Sequence, residues 1–505
     1  MNRTNSSAAT EPPGVTGLLV DALAARLDRD ADAPLTLQLC EGLRGLIVDG
    51  VLGPGRRLPA SRQLAADLAL GRNTVVDAYA RLAAEGYLSA RTGAGSFVAA
   101  TLPHYEMPPA RGAATGGGAA PAWPAALSSR AEAVLAEAPI ATGRAFAACS
   151  PDLTTLRLDI WHRLLGRSWR EARLSDMQYA DPGGHPALRR AIADHVRLTR
   201  QVRCSPEHIV IVNGAQHGLE LCARFLAERG DIAWVEDPGY PGARRALGAA
   251  ELRMRAIPVD AHGMAPDESH WAQPPRLIHV TPSHQFPTGV EMSLERRLAL
   301  LARVAGAGSW ILEDDYDGEF RLDGRPVASL QGMDSAGRVI YVGTFSKVLF
   351  PALRLGYLVL PPALSEAFSL AAARLLLEGR QQTQLALARF IEEGHFASHI
   401  RRMRRVYAGR RQLLEQVWRR ELGDAAPLSG TTTGMHVVAG LPSGLDREVS
   451  QAAQGLGIVA QSLASLSTGP APPRSGLVLG YGAAHDQEVR ERGAELARLV
   501  AARLA

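Results

Sequence analysis

The stretch YVGTFSKVLFPALRLGYL, residues 341–358, contains Lys347, the only lysine in a chain of 505 residues. Of the 55 Lys and Arg residues, one is therefore Lys and 54 are Arg. Such usage points to a coding bias that replaces lysine wherever arginine serves. Arginine stays protonated in proteins, whereas a lysine amine can be deprotonated, attack a carbonyl and form a Schiff base. A lone lysine is otherwise most often a solvated surface charge, so its neighbours decide between the two readings.

Outward from this stretch, the chain alternates apolar strand-like runs with helical ones. HIVIVNGAQHGLELCARFLA (208–227) reads strand, turn, helix. DIAWVEDPGY (231–240), RLIHVTPSHQFPTG (276–289), SWILEDDYDGEF (309–320) and RVIYVGTFSK (338–347) each read as a strand running into a polar loop. Short strands apolar on both sides, separated by helices, imply a mostly parallel sheet covered on both faces. In such sheets ligands sit beyond the carboxyl ends of the strands, so the polar residues there are the candidates.

Those residues are the parts a pyridoxal phosphate site needs: a lysine, a carboxylate for the pyridine nitrogen, a phosphate cradle and a surface against the ring. Asp314 closes an apolar strand, and Tyr316, two residues on, is placed to reach the phenolic oxygen of the ring. Gly214, Ala215 and Gln216 form a strand-to-helix turn whose backbone N–H groups suit a phosphate. Tyr240 sits in a Pro/Gly loop, suited to stacking on the ring, and Thr344 and Arg354 flank Lys347 as further phosphate contacts.

A separate head precedes this body. In LPASRQLAADLALGRNTVVDAYARLAAEGYLSARTGAGSFVA (58–99), the spacing predicts a helix over 61–69 and a second carrying Val75, Tyr79 and Leu82 on one face. Gly86 is placed to end the second helix. Arg72, Asn73 and Thr74 open it on the opposite face, where a recognition helix meets base edges and phosphates. The run that follows reads as two short strands around a glycine-rich tip, a wing. Residues 35–98 hold seven arginines against five acids, a net of +2, so the arrangement carries the reading rather than the charge. Between head and body, residues 100–144 are rich in Pro, Gly and Ala and behave as a tether.

Composition excludes several classes. A formal charge of +4 is too small for a chain that coats polyanions along its whole length. Cys40, Cys149, Cys204 and Cys222 are scattered with no C-x-x-C pair, which argues against a zinc site or disulfide framework; no metal site is expected. No apolar run approaches the ~20 residues of a membrane helix. The stretch GVTGLLVDALAARL (14–27) is interrupted by Asp21 and Arg26 and reads as an amphipathic helix rather than a signal segment. A cytoplasmic protein is expected.

Two resemblances extend this reading. The head resembles the winged helix-turn-helix of GntR-type regulators along about 65 residues. That implies DNA contacts by Arg62, Arg72 and Thr74, with Gly93 of the wing approaching the minor groove. The body resembles fold-type I pyridoxal phosphate enzymes of the aspartate aminotransferase type. MQYADPGG (177–184) matches the family segment whose tyrosine, here Tyr179, crosses a dimer interface to the neighbour's phosphate. TPSHQFPTG (281–289) matches the loop in which an asparagine meets the ring oxygen, but Phe286 stands in its place and His284 or Gln285 is left to compensate. Val478 stands where the family has its substrate-carboxylate arginine, and Arg474 is the nearest replacement.

Head, tether and body together resemble the MocR/PdxR/GabR group of regulators. The resemblance implies three parts: a winged helix-turn-helix domain over 16–99, a linker over 100–144 and an α/β aminotransferase-like domain over 145–505. It further implies a domain-swapped homodimer that binds a double-stranded operator and senses pyridoxal phosphate, an amine or an amino acid through Lys347. The rival expectation is a working aminotransferase carrying a DNA-binding head. Without the arginine at 478, efficient turnover is not expected.

Overall fold

The computed structural model describes residues 14–91, 95–100, 127–128, 131–132, 135, 145–178, 181–322, 328–376, 380–430, 433–469 and 474–504. Gly93 and Tyr179, both site expectations, lie outside the described residues, as does most of the 100–144 tether. The chain divides into two compact units, residues 1–122 and 123–505.

The first unit is built from α1 (Gly14–Ala24), α2 (Leu35–Val48), α3 (Ser61–Asp67) and α4 (Arg72–Ala84), followed by the hairpin β1 (Leu88–Arg91) and β2 (Gly95–Val98). Helix α4 buries Val75, Ala78, Tyr79 and Leu82 against a small core that includes Leu39, Leu43 and Leu64. The Tyr79 hydroxyl donates to the Pro59 carbonyl at 3.0 Å, tying α4 to the segment before α3. Past the helix end, Gly86 takes a φ of 81°, a left-handed turn that suits glycine, and the chain reverses into β1. Leu88 pairs with Val98 and Arg91 with Gly95, and the Leu58 N–H adds a bond to Ser96 along the hairpin edge.

The second unit is organised on an eight-stranded sheet. Its strands are β3 (Ile209–Val212), β4 (Ile232–Asp237), β5 (Arg253–Asp260), β6 (Gly263–Met264), β7 (Leu277–Val280), β8 (Trp310–Asp315), β9 (Val339–Thr344) and β10 (Gly356–Val359), in the spatial order β3-β10-β9-β8-β7-β4-β5-β6. The central run β9-β8-β7-β4-β5 is parallel, while β10 is antiparallel to both its neighbours. Burial on both faces explains the uninterrupted apolar run of β3 and the largely apolar character of β7 and β9, which carry His279 and Thr344. A second, antiparallel sheet follows: β11 (Leu428–Ser429), β12 (His436–Leu441), β13 (Gln461–Ser462) and β14 (Ser475–Gly480), ordered β11-β12-β14-β13. No helix among the described residues is long and apolar enough to cross a membrane.

Candidate functional site

Because the central strands are parallel, their carboxyl ends share one edge, and four loops converge there. Asp314 lies at the end of β8, Thr344 at the end of β9, Gly214 just beyond β3, and the Tyr240 loop just beyond β4. The antiparallel β10 closes the arrangement. Gly356 opens β10 opposite both Thr344 and Val212, so the 345–355 loop bearing Lys347 hangs beside the Gly214 turn.

That turn has the form of an anion cradle. Gly214 takes a φ of 84° and starts the helix Ala215–Leu226, leaving helix-end N–H groups without helical partners. A Cβ placed on Gly214 would lie 3.9 Å from the Arg354 guanidinium carbon and 4.0 Å from the Ser346 hydroxyl, so both cationic and hydroxyl donors face the same turn. Arg354 itself has a φ of 49°, a left-handed bend that directs the chain out of the lysine loop into β10. The Thr344 hydroxyl accepts from the Ser346 N–H at 3.2 Å and stiffens the approach to Lys347. Gln216 is drawn elsewhere: its amide donates to Glu220 at 3.2 Å and to the Gly242 carbonyl at 3.1 Å.

Asp314 is 4% exposed, and its two oxygens differ. Oδ2 lies 3.4 Å from His279 Nε2 on the neighbouring strand β7, whereas Oδ1 is buried with no partner among the described residues. Next to it, Asp315 is an internal tie, bonded by Arg200 at 2.6 Å and the Tyr341 hydroxyl at 2.5 Å. The parity of the strand thus separates a structural carboxylate from one left open.

Tyr240 packs at 6.3 Å from His279, tilted by 32°, and edge-on to Phe286 at 6.0 Å. Burial pushes its hydroxyl up to about 12, reinforced by the charge of Asp314. Cys149 is buried, and that burial pushes its thiol up to about 12; Lys347 opposes the shift while Asp317 and Asp314 reinforce it, which puts lysine and carboxylates in one neighbourhood.

The loop that departs from the asparagine pattern is also accounted for. Gln285 is committed to packing the loop: its amide donates to Glu236 at 3.1 Å and to the Pro238 carbonyl at 2.9 Å, and its oxygen accepts from Thr288 at 2.6 Å. His284 instead places Nδ1 3.0 Å from the Tyr316 hydroxyl and 3.0 Å from Asp317. Val478 is fully buried in β14, opposite Val438. Arg474 is exposed just before that strand, four residues and about 13 Å of extended chain away.

In the head, Arg62, Arg72 and Asn73 are exposed and Thr74 is half-buried, so the start of α4 presents its polar residues to solvent while the stripe behind them is buried.

Residues 165–495 match the aminotransferase class I and II family, and residues 35–98 match the bacterial regulatory proteins of the gntR family. Over 469 residues the chain is 42% identical to the probable rhizopine catabolism regulatory protein MocR of Rhizobium meliloti, covering 92% of this chain and 93% of that one. It belongs to the MocR-type transcription regulators. A second relative is the pyridoxine biosynthesis transcriptional regulator PdxR of Corynebacterium glutamicum, 31% identical over 91% of this chain and 96% of that protein. The crystal structure of Pyrococcus horikoshii kynurenine aminotransferase covers 75% of this chain and 96% of its own, with a TM-score of 0.65 at 24% identity, a likeness of fold.

For a MocR-type chain, sequence reasoning singled out Lys347, Asp314 and the Gly214 turn, all of which lie in or beside the loops at the carboxyl edge of the sheet. It missed Ser346, His279, Asp317, His436 and Cys149. A histidine inside the apolar strand LIHV was the one available signal for His279. Ser346 and Asp317 sit beside Lys347 and Tyr316 in the sequence, whereas His436 and Cys149 are brought in by tertiary folding alone.

Proposed function

We propose that this MocR-type regulator binds double-stranded DNA through its winged head, holds pyridoxal 5'-phosphate at Lys347, and couples the state of that pocket to DNA binding. The observation that carries the reading is the buried, unpartnered Oδ1 of Asp314, one strand away from the loop of the only lysine. An unpaired buried carboxylate oxygen is costly unless a donor meets it, and a protonated pyridine nitrogen is such a donor. The Gly214 turn, with Arg354 and Ser346 facing it, suits a phosphate dianion by charge and by its N–H groups.

The residues present therefore fit the cofactor. When bound, pyridoxal phosphate supplies an aldehyde open to primary amines and a ring that withdraws electrons. Lys347 provides the amine nucleophile; Asp314 holds a proton on the ring nitrogen; Gly214, Ala215, Thr344, Ser346 and Arg354 hold the phosphate; Tyr240 covers a ring face; Tyr316 meets the ring oxygen. Gln216 contributes its backbone N–H, since its side chain is already bonded. Tyr179, by resemblance, reaches the phosphate of a partner in a domain-swapped homodimer.

The aliphatic residue at 478 supports sensing over turnover. A carboxylate is held best by a bidentate guanidinium, and Val478 offers none. The effector is then the cofactor itself, an amine or an amino acid held without that clamp. In the head, Arg72, Asn73 and Thr74 present hydrogen-bonding groups at the start of α4, and Arg62 adds a cation from α3.

Titration of the purified protein with pyridoxal phosphate, followed by borohydride reduction and peptide mapping, tests the pocket. A visible band and a reduced adduct on Lys347 are expected. A flat spectrum at saturating cofactor would overturn the reading.

A further inference from the structure

Phe286 removes the amide that would meet the ring oxygen, and His284, two residues earlier, does not replace it directly. His284 is 1% exposed, and its Nδ1 serves two partners: the Asp317 carboxylate at 3.0 and 3.2 Å and the Tyr316 hydroxyl oxygen at 3.0 Å. Which hydrogen lies where follows from the donors available. Burial raises the Asp317 carboxyl, and His284 and the backbone N–H of Met435 oppose that shift, so both neighbours favour the carboxylate as an acceptor. An acceptor at hydrogen-bond distance requires the hydrogen on Nδ1 of His284. Tyr316 then meets an N–H and not a lone pair, so its own hydroxyl hydrogen has to point away from the imidazole.

The surroundings hold this arrangement in place. Gly434 takes a φ of 84°, and a Cβ there would fall 2.1 Å from His284 Cε1 and 2.5 Å from Asp317 Oδ2, so only glycine lets the chain pass. His436 packs its ring 4.5 Å from that of His284 and bonds the Pro287 carbonyl at 3.0 Å through Nε2, which therefore carries hydrogen. On its other side Tyr316 packs edge-on against Phe286 and shares the charged neighbourhood of Asp314 and Cys149, the region of Lys347. Burial raises the Tyr316 hydroxyl well above its ordinary range, so it keeps its proton.

We propose that Asp317 and His284 are positioning residues that turn the Tyr316 hydroxyl hydrogen into the pocket, making Tyr316 the donor to an anionic ring oxygen in place of the amide absent at 286. The dyad does not touch the cofactor; it acts through one hydroxyl. This rests on the cofactor reading above.

The test uses the full chain. Imidazole nitrogen NMR of protein with labelled histidine, with His284 assigned by comparison with His284→Phe, reads the tautomer without added cofactor. The Nδ1–H form is expected in the wild type and its loss in Asp317→Asn, an isosteric change that no longer dictates the tautomer. Pyridoxal phosphate titration then reads the consequence. Asp317→Asn and Tyr316→Phe should each weaken affinity about tenfold, with the double variant no weaker than Tyr316→Phe alone. His284→Phe, which keeps a packed ring, should match Asp317→Asn. A wild-type Nε2–H tautomer, unchanged affinity in Asp317→Asn, or losses that multiply in the double variant would each overturn the proposal. If no form binds pyridoxal phosphate, the cofactor reading falls with it, while the NMR spectrum still decides where the proton sits.

Discussion

Asp314 and His279 lie on adjacent parallel strands, with His279 Nε2 3.4 Å from Asp314 Oδ2 and the other carboxylate oxygen without a partner among the described residues. The neighbouring strand thus steadies one oxygen of a carboxylate that is 4% exposed, and the other oxygen is the one assigned above to the proposed cofactor.

Asp314→Asn should therefore weaken pyridoxal phosphate binding by about ten- to a hundredfold, the worth of a charge-assisted hydrogen bond. Fluorescence titration checks this, and near-ultraviolet circular dichroism should show the fold intact. Equal affinity would mean that Asp314 faces nothing on the cofactor.

The helix start in the head makes a separable prediction. Arg72→Ala should weaken operator binding, and if Arg72 meets a phosphate, the slope of log affinity against log salt should fall by about one. The cofactor absorbance should not change. Loss of both would indicate damage to the fold rather than to a contact.

How much of this was legible in the sequence depends on how local each signal was. Helix α4 was readable because Val75, Tyr79 and Leu82 recur at helical spacing and Gly86 punctuates the end. The parallel sheet was readable from strands whose residues are apolar on both faces. Lys347 stood out by composition. The commitment of Gln216 and Gln285 to internal bonds was not readable, because each also bonds a distant partner, Gly242 and Glu236, 26 and 49 residues away. Nor was the His284–Asp317–His436 group, in which one ligating atom of each residue lies within 4.8 Å of the others although His436 comes from a different sheet. Periodicity reports which face is buried; it does not report which polar atoms meet there.

Stability should carry a signature of the buried carboxylate that precedes Asp314. Burial pushes Glu313 up to about 7, against the two N–H bonds it accepts from Leu330 and Gln331 at 2.8 and 2.9 Å. The folded state then holds the proton more tightly than the unfolded chain. Stability is fully present below the ordinary carboxyl range and falls as pH rises towards about 7, by up to ~3 kcal/mol. Glu313→Gln should flatten that decline, as read from urea unfolding at acidic and mildly alkaline pH. A wild-type slope that survives the substitution would place its origin elsewhere.

The most direct test of the central claim is operator affinity of the full-length wild type and of Lys347→Arg, each with and without pyridoxal phosphate. Coupling between such sites is typically worth about 1–3 kcal/mol, so the cofactor should shift wild-type affinity by roughly five- to 150-fold. Lys347→Arg keeps the charge but cannot capture the aldehyde, and its affinity should not move. A wild type indifferent to the cofactor, or a variant that responds equally, would contradict the account.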